Sequence, residues 1–441
     1  MERKLIVVFT ITFLIGFVVP VSPDMISEKK LFLIGSYTYE TYDLIIITPW
    51  FFVEDLQPLA DHKESHDITT KIVSLDDIYD GLYFNVQGRD DSEKIKYFIM
   101  NAIENWDVKY VLLVGNKAIP RRICNTIVTD ALLDFTCDLY YADIYDGNGY
   151  FSDWDSDGDG IYGEWYFGQN AEDKDIDLTP DVAVGRLACD SDIEVKIAVD
   201  KIIHYEEKAA DPSWFKQMVV AGGDTFPDSY CEGCGYEGEI NTQKAIDVMN
   251  GFVPVKLWAS TGELDRFGLN ILKSINKGCG FLYLSGHGNW HGWITSDSNG
   301  VSLGFFSIFH VFFLKNKDML PICILSGCHV SKIEKPCLGW QLIRKSNGGA
   351  IATIGPTSLG YLGYEFPGGG LDWLELKFFE EYANGSNILG EIWKDALQKY
   401  VYTFPVDWDI PSSETSCAVD VKTVQEWILL GDPSLKIGGY D

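Results

Sequence analysis

Phe281-Leu282-Tyr283-Leu284-Ser285-Gly286-His287-Gly288 and Ile322-Cys323-Ile324-Leu325-Ser326-Gly327-Cys328 share one design: an uncharged run of strand length, then a glycine beside a residue able to do chemistry. Short continuous apolar runs are what a parallel sheet covered on both faces requires. In open parallel sheets the carboxyl ends of the strands gather at one edge, where ligands bind, so two such strands bring His287 and Cys328 together there. A cysteine and a histidine within hydrogen-bond reach form a thiolate–imidazolium nucleophile suited to acyl transfer. The flanking glycines admit close approach of backbone, and the amides of Gly288 and Cys328 are candidate donors to an oxyanion. Taken singly, Cys328 reads as a core cysteine and His287 as a hydrogen-bonded loop histidine; it is the matched settings that favour chemistry. His329 is a poor partner because adjacent strand-end residues point to opposite sides, and His291 reads as a residue of the cleft rim.

Working outward, the same alternation of apolar runs and amphipathic stretches extends along the chain from about residue 42. Strands are expected over 43–48, 109–115, 180–185, 217–222, 280–285, 321–326 and 349–354. Helices are expected over 92–106, 192–208, 239–249, 264–276 and 387–402, where apolar residues recur at three- and four-residue intervals. This is an α/β fold with a largely parallel sheet flanked by helices. Ala209-Ala210-Asp211-Pro212-Ser213 separates two consecutive subdomains, 42–211 and 212–438. Residues 140–174 lack periodicity and are dense in Asp, Gly and aromatics, which makes them a long, functional or ligand-stabilised loop.

Acidic residues outnumber basic ones by 65 to 35, a formal charge of −30. That balance argues against a nucleic-acid partner, which would need clustered Lys and Arg; it serves solubility in a salty or hot medium, and such a field would also favour basic substrates. At the start, Met1-Glu2-Arg3-Lys4 precedes an apolar stretch from Leu5 to Val19 and then Pro20-Val21-Ser22-Pro23. The pattern is a signal peptide over 1–22, followed by a short linker or propeptide over 23–41. The apolar stretch is shorter than the about 20 residues of a bilayer-spanning helix, although it also fits an uncleaved anchor. No later stretch spans a membrane, since 305–314 is interrupted by Ser307 and His310. The expected location is secreted or at the cell surface. Ten cysteines are compatible with an oxidising compartment, yet Cys231 and Cys234 form a lone Cys-x-x-Cys with no second pair to complete a zinc site.

The segments 284–289, 320–328 and 348–354 together resemble the gingipain family of caspase-clan cysteine peptidases, family C25. Pro180-Asp181-Val182-Ala183-Val184-Gly185-Arg186, the Tyr205-Glu206 helix end and Leu430-Gly431-Asp432-Pro433-Ser434-Leu435 are also similar to it, so the likeness runs from about 42 to 437. The resemblance implies a caspase-like fold, with Cys328 as nucleophile, His287 as general base, and Gly288 and Cys328 amides as oxyanion donors. It implies that Asp224, in Val219-Val220-Ala221-Gly222-Gly223-Asp224, orients the histidine, where the family carries Glu. It aligns Glu239 with the acidic floor of the specificity pocket, where Asp is usual, and so implies cleavage of polypeptides after Arg or Lys. Read without the family, Glu239 is a carboxylate at a helix N-terminus, favoured by the dipole. The immunoglobulin-like module and long prodomain of gingipains are not expected here.

Within the long loop, Asp153, Asp155 and Asp157 occupy positions one, three and five of a twelve-position calcium pattern, Gly158 position six and Glu164 position twelve. A shifted register through Asp155, Asp157 and Asp159 also fits. The expectation is a structural Ca2+ held in a loop, not an EF-hand. Two other readings share this chemistry or dispense with it: a sortase-like transpeptidase of the same fold, and a non-catalytic, calcium-stabilised surface binding protein.

Overall fold

Strand β1 (Leu44–Thr48) pairs in parallel with β2 (Thr70–Ser74) on one side and β3 (Tyr110–Val114) on the other, and β3 in turn with β4 (Ala183–Leu187). All five residues of β1 are buried, as its unbroken apolar run requires. The computed structural model describes residues 40–127, 134–227, 233–362 and 369–441. The signal-peptide segment 1–22, nearly all of the linker, and Cys231 lie outside them. Among the described residues no helix is long and apolar enough to cross a membrane.

The second half adds β5 (Gln217–Gly222), β6 (Val253–Trp258) and β7 (Phe281–Ser285). A hairpin-like sheet follows, made of β8 (His287–Asn289), β9 (Gly292–Ser296) and β10 (Ser302–Ser307). The chain then returns through β11 (Ile322–Ser326), β12 (Ala352–Pro356) and β13 (Trp427–Leu430). Ten of these strands make one sheet in the order β2-β1-β3-β4-β13-β12-β11-β7-β5-β6. Every pairing is parallel except β12 with β13. Because β13 runs with β4 and against β12, strands in the two halves point in opposite directions. The edge that gathers the carboxyl ends of β5, β7, β11 and β12 therefore belongs to the second half alone.

The boundary expected near residue 211 falls at the short helix Pro212–Phe215 that leads into β5. It divides the chain in order but not in packing, since one apolar core runs from Leu44 and Val111 through to Phe281, Ile324 and Phe378. On that face of the second half lie the helices Glu237–Val248 and Leu371–Ala383. Leu282, Leu284, Cys323 and Leu325 alternate to the other face and meet Ile271, Ile275, Leu338 and Leu342. The seam is close: a side chain at Gly185 would put its Cβ 2.4 Å from the Gly431 carbonyl oxygen. Cys234 is disulfide-bonded, while Cys124, Cys137, Cys189, Cys279, Cys323, Cys328, Cys337 and Cys417 are free thiols.

Candidate active site

The parallel register of β7 and β11 sets Ser285 directly beside Ser326. His287 and Cys328 each follow two residues later, and the two chains stay together past the sheet. Gly286 donates its amide hydrogen to the Ser326 carbonyl at 3.2 Å. A Cβ at Gly327 would stand 2.9 Å from the Gly288 nitrogen and 3.0 Å from the His287 carbonyl carbon. Such distances to backbone atoms mean that only glycine fits, and that the chain segments carrying His287 and Cys328 touch. His287 is exposed and Cys328 half-buried at this edge. The Cys328 thiol lies 4.0 Å from the Gly360 carbonyl, and burial pushes its pKa up from the ordinary thiol value. Among the described residues no backbone carbonyl takes the Cys328 amide, which leaves that donor available beside the thiol.

The ring of His287 is held by the main chain. Its Nε2 lies 2.7 Å from the Thr225 carbonyl oxygen. A carbonyl only accepts, so Nε2 carries the hydrogen and Nδ1 keeps the lone pair of a base. The Phe226 ring stands edge-on to the imidazole, with centroids 5.5 Å apart and planes at 74°. Thr225 and Phe226 are themselves fixed, since both amides donate to Glu237 Oε2 at 2.9 and 3.3 Å. Glu237, the first residue of helix Glu237–Val248, is buried. Asp224 is buried too, and its backbone is bolted to β9: its amide donates to Ser296 O at 2.8 Å and its carbonyl accepts from Ser296 Oγ at 2.7 Å. The contact to the His287 ring thus comes from the main chain of Thr225, one residue beyond Asp224, the residue expected to orient it. Sequence reading passed over Thr225 and Glu237, because a main-chain contact leaves no residue-type signature.

Glu239 sits at the same helix start, against the end of β5; a Cβ at Gly222 would lie 2.8 Å from the Glu239 nitrogen. Its carboxylate accepts from the Ser260 amide at 2.8 Å and the Ser260 hydroxyl at 2.5 Å. Ser260 therefore shares any pocket floor built on Glu239. His329, with a φ of 61°, turns away and places Nδ1 3.2 Å from the Thr357 carbonyl. His291 occupies the turn between β8 and β9, its ring 5.0 Å from that of Trp290. Beneath the strand ends, Glu375 accepts a hydrogen bond from Tyr283, and burial raises its pKa to about 8, so it is largely uncharged at neutral pH.

In the acidic loop, carboxylate oxygens of Asp155, Asp157 and Asp159 lie within 4.8 Å of one another, as do those of Asp157, Glu164 and Glu172. Asp153 belongs to neither group; it pairs with Arg89 at 2.5 Å, and Asp155 pairs with the same guanidinium at 3.1 Å. The structure thus brings together the shifted register. Glu172 lies beyond the twelve-position pattern, which is why the motif does not reveal it. Asp157 belongs to both groups, and hard oxygen donors converging in this way suit a hard divalent cation.

A family model described as Peptidase family C25 matches residues 37–438. Gingipain R2 of Porphyromonas gingivalis strain W83 is 23% identical over 411 residues, covering 89% of this chain and 46% of that protein. Gingipain R1 of the same species is 22% identical, again over 89% of this chain, but only 34% of its own length. The chain thus spans less than half of these relatives. Among solved structures, the Arg-specific cysteine proteinase gingipain R superposes with a TM-score of 0.63 at 19% identity, covering 90% of this chain and 78% of that one. The complex of Porphyromonas gingivalis RgpB pro- and mature domains superposes at 0.62 with 20% identity, covering 89% and 79%. The fold is therefore the caspase-like one of gingipain R, and the chain belongs to peptidase family C25.

Proposed function

We propose that this protein is an exported cysteine endopeptidase that cleaves after Arg or Lys, with Cys328 as nucleophile and His287 as general base. The observation that carries this reading is the contact of Gly288 with Gly327, which makes neighbours of His287 and Cys328 at the carboxyl edge of the sheet. His287 Nδ1 takes the thiol proton, and the thiolate attacks the scissile carbonyl. The developing oxyanion is received by the amides of Cys328 and Gly288. As the C–N bond breaks, the imidazolium returns its proton to the departing amine, and water then hydrolyses the thioester. Family membership supports a polypeptide substrate. A basic P1 residue is supported by the buried carboxylate of Glu239 and by the chain's acidity. Arg pairs with a carboxylate through two parallel hydrogen bonds, Lys through a point charge.

A fluorogenic peptide scan varying P1 tests the reading. Turnover after Arg or Lys, absent in Cys328→Ala and selectively depressed in Glu239→Lys, is expected. Preference for an acidic or apolar P1 that Glu239→Lys leaves unchanged would remove Glu239 from the pocket. Turnover surviving in Cys328→Ala would sink the nucleophile. Recovery of the acyl group on an added amine instead of water would identify a transpeptidase.

The acidic loop is proposed to hold a structural Ca2+ through Asp155, Asp157, Asp159 and Glu164, with Glu172 as a further ligand. A ligand that binds only the native state raises stability by mass action. Calcium is expected to raise the melting midpoint of the metal-free protein, and Asp157→Asn to abolish the response. An identical midpoint with calcium and with chelator would contradict the site.

A further inference from the structure

The helix Ile308–Phe312 after β10 is turned outward in an unusual way. Val311 is buried, but Phe309 and Phe312 are 74% and 73% exposed and Phe313 is 57% exposed. Beside them stand Phe267, 62% exposed, and Leu269. The two segments are in contact: Phe305 donates its amide to Arg266 O at 3.2 Å, and Lys315 donates its amide to Asn276 Oδ1 at 2.6 Å. Helix Leu269–Lys277 and the segment around the Phe-rich helix therefore meet at both ends, and Ile271, Ile275, Val311 and Leu314 share one apolar cluster beneath them. Several adjacent large apolar side chains on a surface mark an interaction site.

Charge indicates the partner. In a chain with 65 acidic and 35 basic residues, the segments 265–277 and 305–317 carry Arg266, Lys273, Lys277, Lys315 and Lys317 against a single acid, Asp265. The Asp265 carboxylate is engaged at the start of the helix, where it accepts from the amides of Phe267, Leu269 and Asn270. Glu263 and Asp318 are exposed only at the margins. Two basic side chains stand beside the rings, Arg266 6.0 Å from the Phe267 centroid and Lys345, from a neighbouring segment, 5.5 Å from that of Phe312. Exposed aromatic rings with long basic side chains in the same segments match a lipid interface, where rings enter the acyl boundary and cationic groups meet anionic headgroups.

We propose that this face docks the protein onto an anionic lipid bilayer, as a peripheral contact that holds the catalytic edge near a membrane surface. The contact does not depend on the peptidase reading. Hydrogen exchange of the full chain is measured with phosphatidylglycerol vesicles and with phosphatidylcholine vesicles. Amides of 264–272 and 305–317 are expected to gain protection on the anionic vesicles only. The triple variant Phe309→Ser, Phe312→Ser, Phe313→Ser and the double variant Lys315→Glu, Lys317→Glu should each lose that protection by about tenfold or more. Their peptide turnover and melting midpoints should stay as in wild type. The N-terminal apolar stretch is present in all variants, so any lipid affinity of its own cancels. Three results would overturn the proposal: no protection in these segments, protection that both variants retain, or the same protection produced by self-association or peptide substrate without lipid.

Discussion

At His287 a hydrogen bond to the Thr225 carbonyl sets which ring nitrogen is left for the proposed base. With Nε2 committed as donor to Thr225, only Nδ1 is free to act as base, so anything that moves the Thr225 carbonyl misaligns the base without removing it. Glu237 secures that carbonyl through two amides. Glu237→Ala is therefore expected to lower kcat about 100-fold with KM little changed, since a shift of about an ångström in a catalytic group costs that much. Glu237→Gln, which keeps an acceptor, should recover most of the loss. Equal stability but undiminished kcat in Glu237→Ala would show that the Thr225 segment holds itself. Asp224→Ala should cost less than His287→Ala, because the Thr225 carbonyl still holds the ring and the proposed base remains. The proposed dyad was suggested in the sequence because a Gly-His and a Gly-Cys closed two matching apolar runs. Thr225 was not, because any residue supplies a carbonyl.

Among the elements, the strands buried on both faces were the ones visible in the pattern. Those expected at 217–222, 280–285 and 321–326 coincide with β5, β7 and β11 to within a residue. Strands β2 and β6 escaped because they are the sheet's edges, where Lys71, Pro254 and Lys256 interrupt the apolar run, and an edge tolerates a missing ladder donor. Four-residue β13 was not expected, since only its last residue, Leu430, falls in the quoted motif, and its reversal of direction depends on neighbours no local pattern encodes. The helix expected from 264 begins instead at Leu269, because Asp265 caps it from outside. At this scale the glycine crossing is the critical joint. Gly327→Ala would force its Cβ against the Gly288 and His287 backbone, which cannot yield as a side chain would. Turnover is expected to fall at least about 100-fold while far-ultraviolet circular dichroism stays native. Retained turnover in that variant would mean that the two chain segments need not touch for catalysis.

The ten-stranded sheet of the described residues is clamped at its seam. Lys63, fully buried on helix Val53–Glu64, lies 2.7 Å from both Glu206 and Asp432, so the motif closing the chain is tied to two helices of the first half. Both carboxylates raise the Lys63 pKa despite its burial, which keeps it charged. Removing one partner of a buried ion network strands the others, so Lys63→Ala should cost about 3–5 kcal/mol in denaturant unfolding. A cost under about 1 kcal/mol would mean that Glu206 and Asp432 find protons or water instead. Motif similarity made the C-terminal segment recognisable, but its partnership with Lys63 joins positions that no periodicity links. Everything the fold positions converges on one sulfur atom, and covalent labelling reads it directly. A peptidyl chloromethyl ketone with Arg at P1, added in stoichiometric amount and mapped by mass spectrometry, should mark Cys328 alone among the free thiols, and His287→Ala should suppress the adduct. Labelling spread over other cysteines such as Cys417, or an undiminished rate at Cys328 in His287→Ala, would contradict the dyad.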